Sequence, residues 1–380
     1  VGGKCRTRTI DGRTYELGAL VVGSPYDHVR ALIREAGMET AALGPIRLLD
    51  LDEPGRVRWA DERHCARRTG AMLRIAAACM AHGRRLSRPG FGGAEASGLA
   101  RATMAAWLRA RGLSDAGPLL APFYVSWGYG YLEQVNALYV FKLLDLYRRA
   151  LVRKCLGRGL TPAGFLPEGY QRLWERIAAP FERILGAEIR RVRRGGTVTV
   201  AFDGGRREFD ALLLACPFPD ALGFLDADAR ERTLFSKIRT LDFHTLAATA
   251  DGLPPDALVF VRNHLAPGAA GRMVSWYRRW PDSDVAVFYA IGRPGMTADD
   301  MADGVAADLA RAGASLGTVH RWDRWRYFPH VTAREMAQGF YRDFEAMQGR
   351  RGTWYAGELL SFPTVEHVVA YSRRLVDTHF

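Results

Sequence analysis

This sequence predicts an α/β fold that joins a helical block to an antiparallel sheet, on three observations. Through residues 60–159 apolar side chains recur at helical spacing, most plainly in Ala71–Met80, Leu99–Leu108 and Ala137–Leu151. Four strand-like runs, Thr245–Ala250, Ala257–Val261, Arg272–Tyr277 and Val285–Ile291, then follow one another with Gly, Pro and Asp between them, as an antiparallel sheet requires. At both ends of the chain, short strand-like runs lead into helices.

In chain order, Thr7–Ile10 is expected as a strand, Asp11-Gly12 as its turn, and Tyr15–Gly23 as the return. Tyr26–Ala36 reads as a short amphipathic helix ended by Gly37, since glycine accepts the left-handed geometry that closes a helix. Tyr170–Ala179 stops ahead of Pro180, because proline disfavours helical geometry in the residue before it. Glu188–Arg193 and Thr197–Phe202 form a strand pair turned by Gly195-Gly196. The run Phe209–Ala215, with Ala211-Leu212-Leu213-Leu214-Ala215 apolar on both faces, is expected to be a buried strand. Thr297 caps a helix reaching Ala312, Val319–Tyr327 is a strand, and Trp354–Glu358 precedes a last helix, Thr364–Val376.

Composition narrows the function. The chain has 380 residues, 48% apolar, 11% aromatic and 25% charged, which suits one or two folded domains and excludes a disordered chain. No apolar run is long enough to span a bilayer and no signal segment opens the chain, so the cytoplasm is the expected compartment. The net charge of +12 comes from arginines spread along the chain, with lysine only at 4, 142, 154 and 237. It would suit anionic lipid, nucleic acid or an acidic small molecule, but the spread weakens all three and the charge is read as arginine-rich coding bias. Cys5, Cys65, Cys79, Cys155 and Cys216 are far apart without a C-x-x-C pair, and no histidines are spaced H-x-x-x-H, so neither a disulfide framework nor a metal is expected. No phosphate loop and no recognisable Ser/His/Asp or Cys/His set is present, which weighs against an NTPase or a hydrolase.

Two stretches carry chemistry. Gly2-Gly3-Lys4, with Arg6 nearby, joins backbone that a phosphate can approach to cations that can bind it, although two glycines beside a cation also mark a plain turn. Gly357-Glu358 follows a short strand and precedes a helix whose first amides, near Thr364 and Val365, suit an anion.

In their order, Val1-Gly2-Gly3-Lys4-Cys5-Arg6-Thr7, Tyr15-Glu16-Leu17-Gly18-Ala19, Leu166-Pro167-Glu168-Gly169-Tyr170-Gln171-Arg172-Leu173-Trp174 and Tyr355-Ala356-Gly357-Glu358-Leu359-Leu360-Ser361-Phe362 resemble the flavin-containing amine oxidoreductase superfamily over nearly the whole chain. Within it, the resemblance is nearest to members like the polyenoic fatty acid isomerase. The resemblance implies FAD on a Rossmann-like domain made of residues 1–59, 160–225 and 345–380, with 60–159 and 226–344 as a substrate domain of mixed helix and antiparallel sheet. It implies that Gly2, Gly3, Lys4 and Arg6 lie along the pyrophosphate and flavin, that Gly18 and Ala19 pass the isoalloxazine, and that Ile189 meets the adenine through its backbone. It further implies that Cys216-Pro217 closes the strand beside it, that Glu358 lies near the pyrophosphate or ribitol, and that Thr364-Val365 lie near the N1/O2 edge, where amides stabilise growing negative charge.

The family's G-x-G-x-x-G turn falls ahead of Val1, and with no initiator methionine the chain is expected to be part of a longer reading frame, the alternative being a non-catalytic remnant or binding module. The expected activity is hydride abstraction from a lipophilic or amine substrate to flavin N5, or double-bond isomerisation of a polyunsaturated fatty acid. No residue is singled out as catalytic. Phe123, Tyr124, Trp127, Tyr129 and Tyr131 are candidates for a substrate wall or plain core, in a segment resembling a loop and helix start of the isomerase relatives. Trp322, Trp325, Tyr327 and His330 form a second aromatic group, in which His330 is either an acid or base or a structural side chain. Cys216, at a strand end before Pro217, is read as inert.

Overall fold

The computed structural model describes residues 1–51, 58–60, 69–148, 163–255 and 257–380; the expected helical reading of residues 60–68 and 149–159, together with Cys65 and Cys155, lies outside them. Strands β1 (Thr7–Ile10) and β2 (Arg13–Glu16) form the expected hairpin, with both turn residues, Asp11 and Gly12, at positive φ. Helix α1 (Asp27–Glu35) closes at Gly37, where Met38 N–H donates to Ile33 O and Gly37 N–H to Arg34 O, both carbonyls otherwise orphaned at a helix end. Strands β3 (Ile46–Asp50) and β4 (Arg58–Ala60) and helix α2 (Thr69–Leu86) follow.

The single helix expected over Leu99–Leu108 is broken. A 3-10 turn at Leu99–Arg101 gives way to extended Thr103, whose hydroxyl accepts from Ala106 N–H and starts α3 (Met104–Arg109) afresh. Helices α4 (Gly117–Val125), α5 (Ala137–Leu146) and α6 (Tyr170–Ala178) complete this part, so Phe123–Val125 ends a helix rather than opening one.

A three-stranded meander comes next: β5 (Ile189–Gly195), β6 (Thr197–Phe202) and β7 (Gly205–Phe209), all antiparallel. The run expected to continue from Phe209 into one buried strand is divided, and β8 (Leu212–Leu214) stands alone as its second half. It pairs in parallel with β14 (Thr353–Tyr355), and Leu213 on its middle is 48% exposed, so one apolar face of this two-stranded sheet is open to solvent.

Between these come β9 (Arg239–Asp251), β10 (Ala257–Val261), β11 (Met273–Arg278), β12 (Val285–Ile291), helix α7 (Ala298–Arg311) and β13 (Ser315–His330). The four expected runs are antiparallel neighbours, in a seven-stranded sheet ordered β13-β9-β12-β11-β10-β3-β4. Because β10 pairs in parallel with β3, the sheet is mixed. Leu246, Val259, Trp276 and Phe288 pack with Met301, Val305 and Leu309 of α7, whose first turn is fixed by a reciprocal Thr297/Asp300 cap. The chain ends in α8 (Glu358–Ser361) and α9 (Val365–His379).

Two compact units result: residues 1–81, 102–178 and 241–327 in the first, and 82–101, 179–240 and 328–380 in the second. In the second, Arg194 on β5 is fully buried. Its guanidinium donates to Glu231 (2.6 Å) and Asp226 (2.7 Å), and the Tyr355 hydroxyl on β14 also donates to Glu231. Burial pushes the Glu231 carboxyl up, but the hydrogen bonds from Arg194 and Tyr355 outweigh it and hold the group below its ordinary value. Arg194→Met leaves that buried carboxylate without its cation, and a loss of about 3–5 kcal/mol is expected in denaturant unfolding; a loss below 1 kcal/mol contradicts the assignment.

Candidate functional site

The expected cofactor residues divide between the units, and each set is described within its own. In the first unit, the Gly2–Cys5 turn closes by Cys5 N–H donating to Gly2 O (2.9 Å), with Gly2 and Gly3 both at positive φ. The chain then runs beside residues 17–19: Ala19 N–H donates to Lys4 O (3.0 Å) and Leu17 N–H to Arg6 O (2.9 Å). A Cβ at Gly18 would lie 1.7 Å from Lys4 O, so only glycine permits this approach. Gly2, Gly3, Lys4, Arg6, Gly18 and Ala19 thus form one continuous backbone ledge.

Residues far along the chain hold the ledge; Trp325 was expected only as one of an aromatic group, and Thr245 and Arg279 were not singled out by sequence reasoning. Leu17 O accepts from Trp325 Nε1 (2.8 Å) and from Thr245 Oγ1 (3.3 Å). Glu16 is 2% exposed, and its carboxylate accepts from Tyr170 N–H (2.8 Å) and Thr7 Oγ1 (2.9 Å), with Arg279 Nη1 3.6 Å away. Burial pushes the Glu16 pKa up to about 7, against the pull of Arg279 and the two hydrogen bonds, and burial also lowers the Arg279 pKa. Periodicity cannot single out this carboxylate, because Glu16 occupies an alternating position in a strand like any other.

Above the ledge, Lys4 Nζ lies 5.4 Å from the Tyr327 ring centre and the Arg6 guanidinium 5.5 Å from that of Trp325. Tyr327 stacks between Tyr129 (5.9 Å) and Phe243 (5.4 Å), which continues to Tyr289 (6.0 Å). The other rings expected as a substrate wall have different surroundings. Tyr124 and Tyr131 are buried, whereas Phe123 and Trp127, one helical turn apart and half-buried, both meet the edge or face of Phe260 at 5.7 Å. Among the described residues the Tyr131 hydroxyl has no hydrogen-bond partner, and burial pushes its pKa up to about 12. Trp322 turns away from Trp325 and Tyr327 and donates to His244 Nδ1 (3.2 Å).

In the second unit, Cys216 and Gly357-Glu358 both follow the carboxyl ends of parallel neighbours β8 and β14, the end of such strands where ligands bind. Gly357 has φ +128°, and nothing lies within 4 Å of where its Cβ would be. Thr364 caps α9 by accepting from His367 N–H, and the first amides of a helix point outward along its axis. Phe362 between them is a non-glycine residue at φ +114°, ψ 141°, a strained conformation of the kind that gathers at ligand clamps, and it is held by rings of Phe328 and His367. Ile189 begins β5 and is 36% exposed. The Cys216 thiol is pushed up by burial, which makes it a poor nucleophile. His330 stacks on Phe328, with its Nδ1 2.8 Å from Phe328 O, and burial lowers its pKa. A shallow cavity of about 440 Å³ lies elsewhere, against Arg191, Arg193 and Thr199. Among the described residues no group of three His, Cys, Asp or Glu side chains could hold a metal.

Within the first unit, bare backbone at Gly3 beside the cations of Lys4 and Arg6 suits a phosphate, and within the second, bare backbone at Gly357 ahead of a helix start suits an anionic or polar group; each set is of a kind that a dinucleotide-bound flavin would use. A mixed sheet, a parallel strand pair and the helices among them define an α/β fold. The sequence model of the flavin-containing amine oxidoreductases matches residues 1–370, and the chain belongs to that family. It is similar to the crystal structure of the CLA-producing fatty acid isomerase from P. acnes, with 27% identity and TM-score 0.84, over all of this chain and 90% of that one. Putrescine oxidase bound to putrescine shares the fold at 16% identity and TM-score 0.74, over 100% and 90% of the two chains. A protoporphyrinogen oxidase from Exiguobacterium shares it at 18% and 0.63, over 99% and 89%. Among curated proteins, none matches.

The raised Glu16 pKa has a stability consequence. A carboxyl whose folded pKa exceeds its unfolded value favours the fold fully below about 4.5 and loses that contribution as pH rises through about 7. Urea unfolding of wild type and Glu16→Gln at pH 5 and pH 8 is expected to show wild type losing roughly 2–3 kcal/mol relative to the variant across that interval. Parallel pH profiles contradict it.

Proposed function

We propose that this member of the family is an FAD-dependent enzyme that acts on an activated C–H bond of a lipophilic or amine substrate. The observation that carries the reading is the glycine backbone left bare at Gly3 and Gly357, each beside groups suited to phosphate or ribitol. When bound, the flavin supplies a hydride acceptor at N5.

This chain's residues supply placement and field. Gly2 and Gly3 let the dinucleotide approach the main chain, while Lys4 and Arg6 offset phosphate charge. Gly18 and Ala19 present a flat backbone edge to the ring system, fixed from behind by Trp325 and Thr245. Ile189 offers backbone groups to the adenine, and Cys216 closes the neighbouring strand. Glu358 accepts from ribitol hydroxyls, and the amides of Thr364 and Val365 favour negative charge at the far edge of the ring. Residues 1–59, 160–225 and 345–380 carry these cofactor roles in this reading, and 60–159 and 226–344 carry substrate roles. There, Phe123 and Trp127 supply the accessible aromatic wall, backed by Tyr124, Tyr129 and Tyr131.

A second reading, double-bond isomerisation of a polyunsaturated fatty acid, is supported by the likeness to the fatty acid isomerase, at 27% identity against 16–18% for the oxidases above. The absorption spectrum of the purified chain tests the shared part of both readings. A yellow protein that releases FAD on denaturation is expected, and a colourless protein that stays apo with added FAD supports a non-catalytic remnant. Glu358→Ala is expected to weaken FAD binding about tenfold, the size of one lost charge-assisted hydrogen bond, read as the Kd for FAD; an unchanged Kd removes Glu358 from the site.

A further inference from the structure

Helix α2 exposes large apolar side chains beside arginines. Ile75, Ala76, Cys79, Gly83 and Leu86 are buried on its inner side. On the outer side Leu73, Ala77 and Met80 stand at i, i+4 and i+7, all exposed, with Leu73 51% and Met80 62% accessible. Arg84 continues the same line, and Arg74 and Arg85 lie together along one side of it, all three exposed. The eighteen residues contain no Asp or Glu. Arg74 also donates to Arg111 O (3.0 Å), tying to the helix the end of α3, where Arg109 and Arg111 are exposed.

Large apolar side chains in a line, bordered by arginines and free of acids, are the pattern of a helix that lies in a bilayer interface. No helix here is long and apolar enough to cross a membrane, so α2 suits lying on one and not spanning it. Charge decides the occupant. A second copy would bring arginine rows against each other with no carboxylate on the helix to pair them, whereas anionic headgroups supply the missing charge and acyl chains receive the apolar line.

We propose that α2 docks on an anionic lipid surface, with Leu73 and Met80 entering the boundary between headgroups and acyl chains and Arg74, Arg84 and Arg85 engaging lipid phosphates. This goes beyond the flavin reading and does not depend on it. A chain so placed meets lipophilic molecules in the phase where they dissolve.

Flotation of the full chain with vesicles of pure phosphatidylcholine and of phosphatidylcholine with one-quarter phosphatidylglycerol tests the proposal. At 0.1 M salt the bound fraction is expected to be at least fivefold higher on the anionic vesicles and to fall severalfold at 0.5 M salt. Leu73→Glu/Met80→Glu and, separately, Arg84→Glu/Arg85→Glu are each expected to lower it fivefold or more, with unchanged melting midpoints. Leu73→Ser/Met80→Ser, which adds no charge, serves if the glutamates disturb folding, and the same loss is expected. No preference for anionic vesicles, or wild-type binding by the apolar-line variants, overturns the proposal. So does light scattering that shows a dimer converted to monomer by Leu73→Ser/Met80→Ser while flotation is unaffected, since a second copy then covers the face. Flavin absorbance in the floated fractions reads the other question separately: bound but colourless protein upholds the lipid surface and overturns the flavin reading.

Discussion

Segment 4–6 can run along segment 17–19 only because position 18 carries no side chain. With Lys4 O 1.7 Å from where a Cβ would stand, any other residue forces the two strands of backbone apart and breaks the Ala19–Lys4 and Leu17–Arg6 hydrogen bonds. The same passage fixes where the cations of Lys4 and Arg6 emerge, and both reach over aromatic rings of β13. The ledge is therefore a backbone surface whose shape follows from one missing methyl group and whose electrostatics follow from two neighbouring side chains.

Burial makes that surface rigid at an electrostatic cost. Glu16 and Arg279 are both almost wholly removed from water, and each is pushed toward neutrality by desolvation. Their worth is positional: Glu16 accepts from the first amide of α6 and from Thr7 on β1, so the carboxylate anchors the hairpin to the helix beside it. Arg194 plays the comparable part in the second unit, joining the meander to Glu231 and, through it, to Tyr355 of β14. The Arg194 guanidinium donates from all three nitrogens, to Asp226 and Glu231, and a polar network satisfied in this way specifies one arrangement more strongly than apolar contact does.

Much of this was legible in the sequence. Asp11-Gly12, Gly37, Thr297 and the four sheet strands carry local signals, turn chemistry, caps and alternation, that act within a few residues and were read correctly. The break at Thr103 was not, because an apolar period continues across a residue whose hydroxyl starts a new helix. Leu213 was expected inside and is half outside, since three consecutive leucines say that a strand is apolar but not how many layers cover it. Trp325 stood out only as one of an aromatic group and Thr245 only as the start of a strand, and nothing local tells that they secure Leu17 from 308 and 228 residues away. Arg74, Arg84 and Arg85 stand beside an exposed apolar line only once the helix forms, a local pattern that composition averages away while the arginines as a whole stay spread along the chain.

Hydrogen exchange of the flavin-free chain, measured with and without saturating FAD, tests the central claim most directly. Peptides covering residues 1–6 and 15–19 are predicted to exchange more slowly with FAD present, because a bound ring system and pyrophosphate would shield the Gly3 and Lys4 amides. Unchanged exchange in both peptides, while FAD is demonstrably bound, would contradict the account and place the coenzyme away from the glycine ledge.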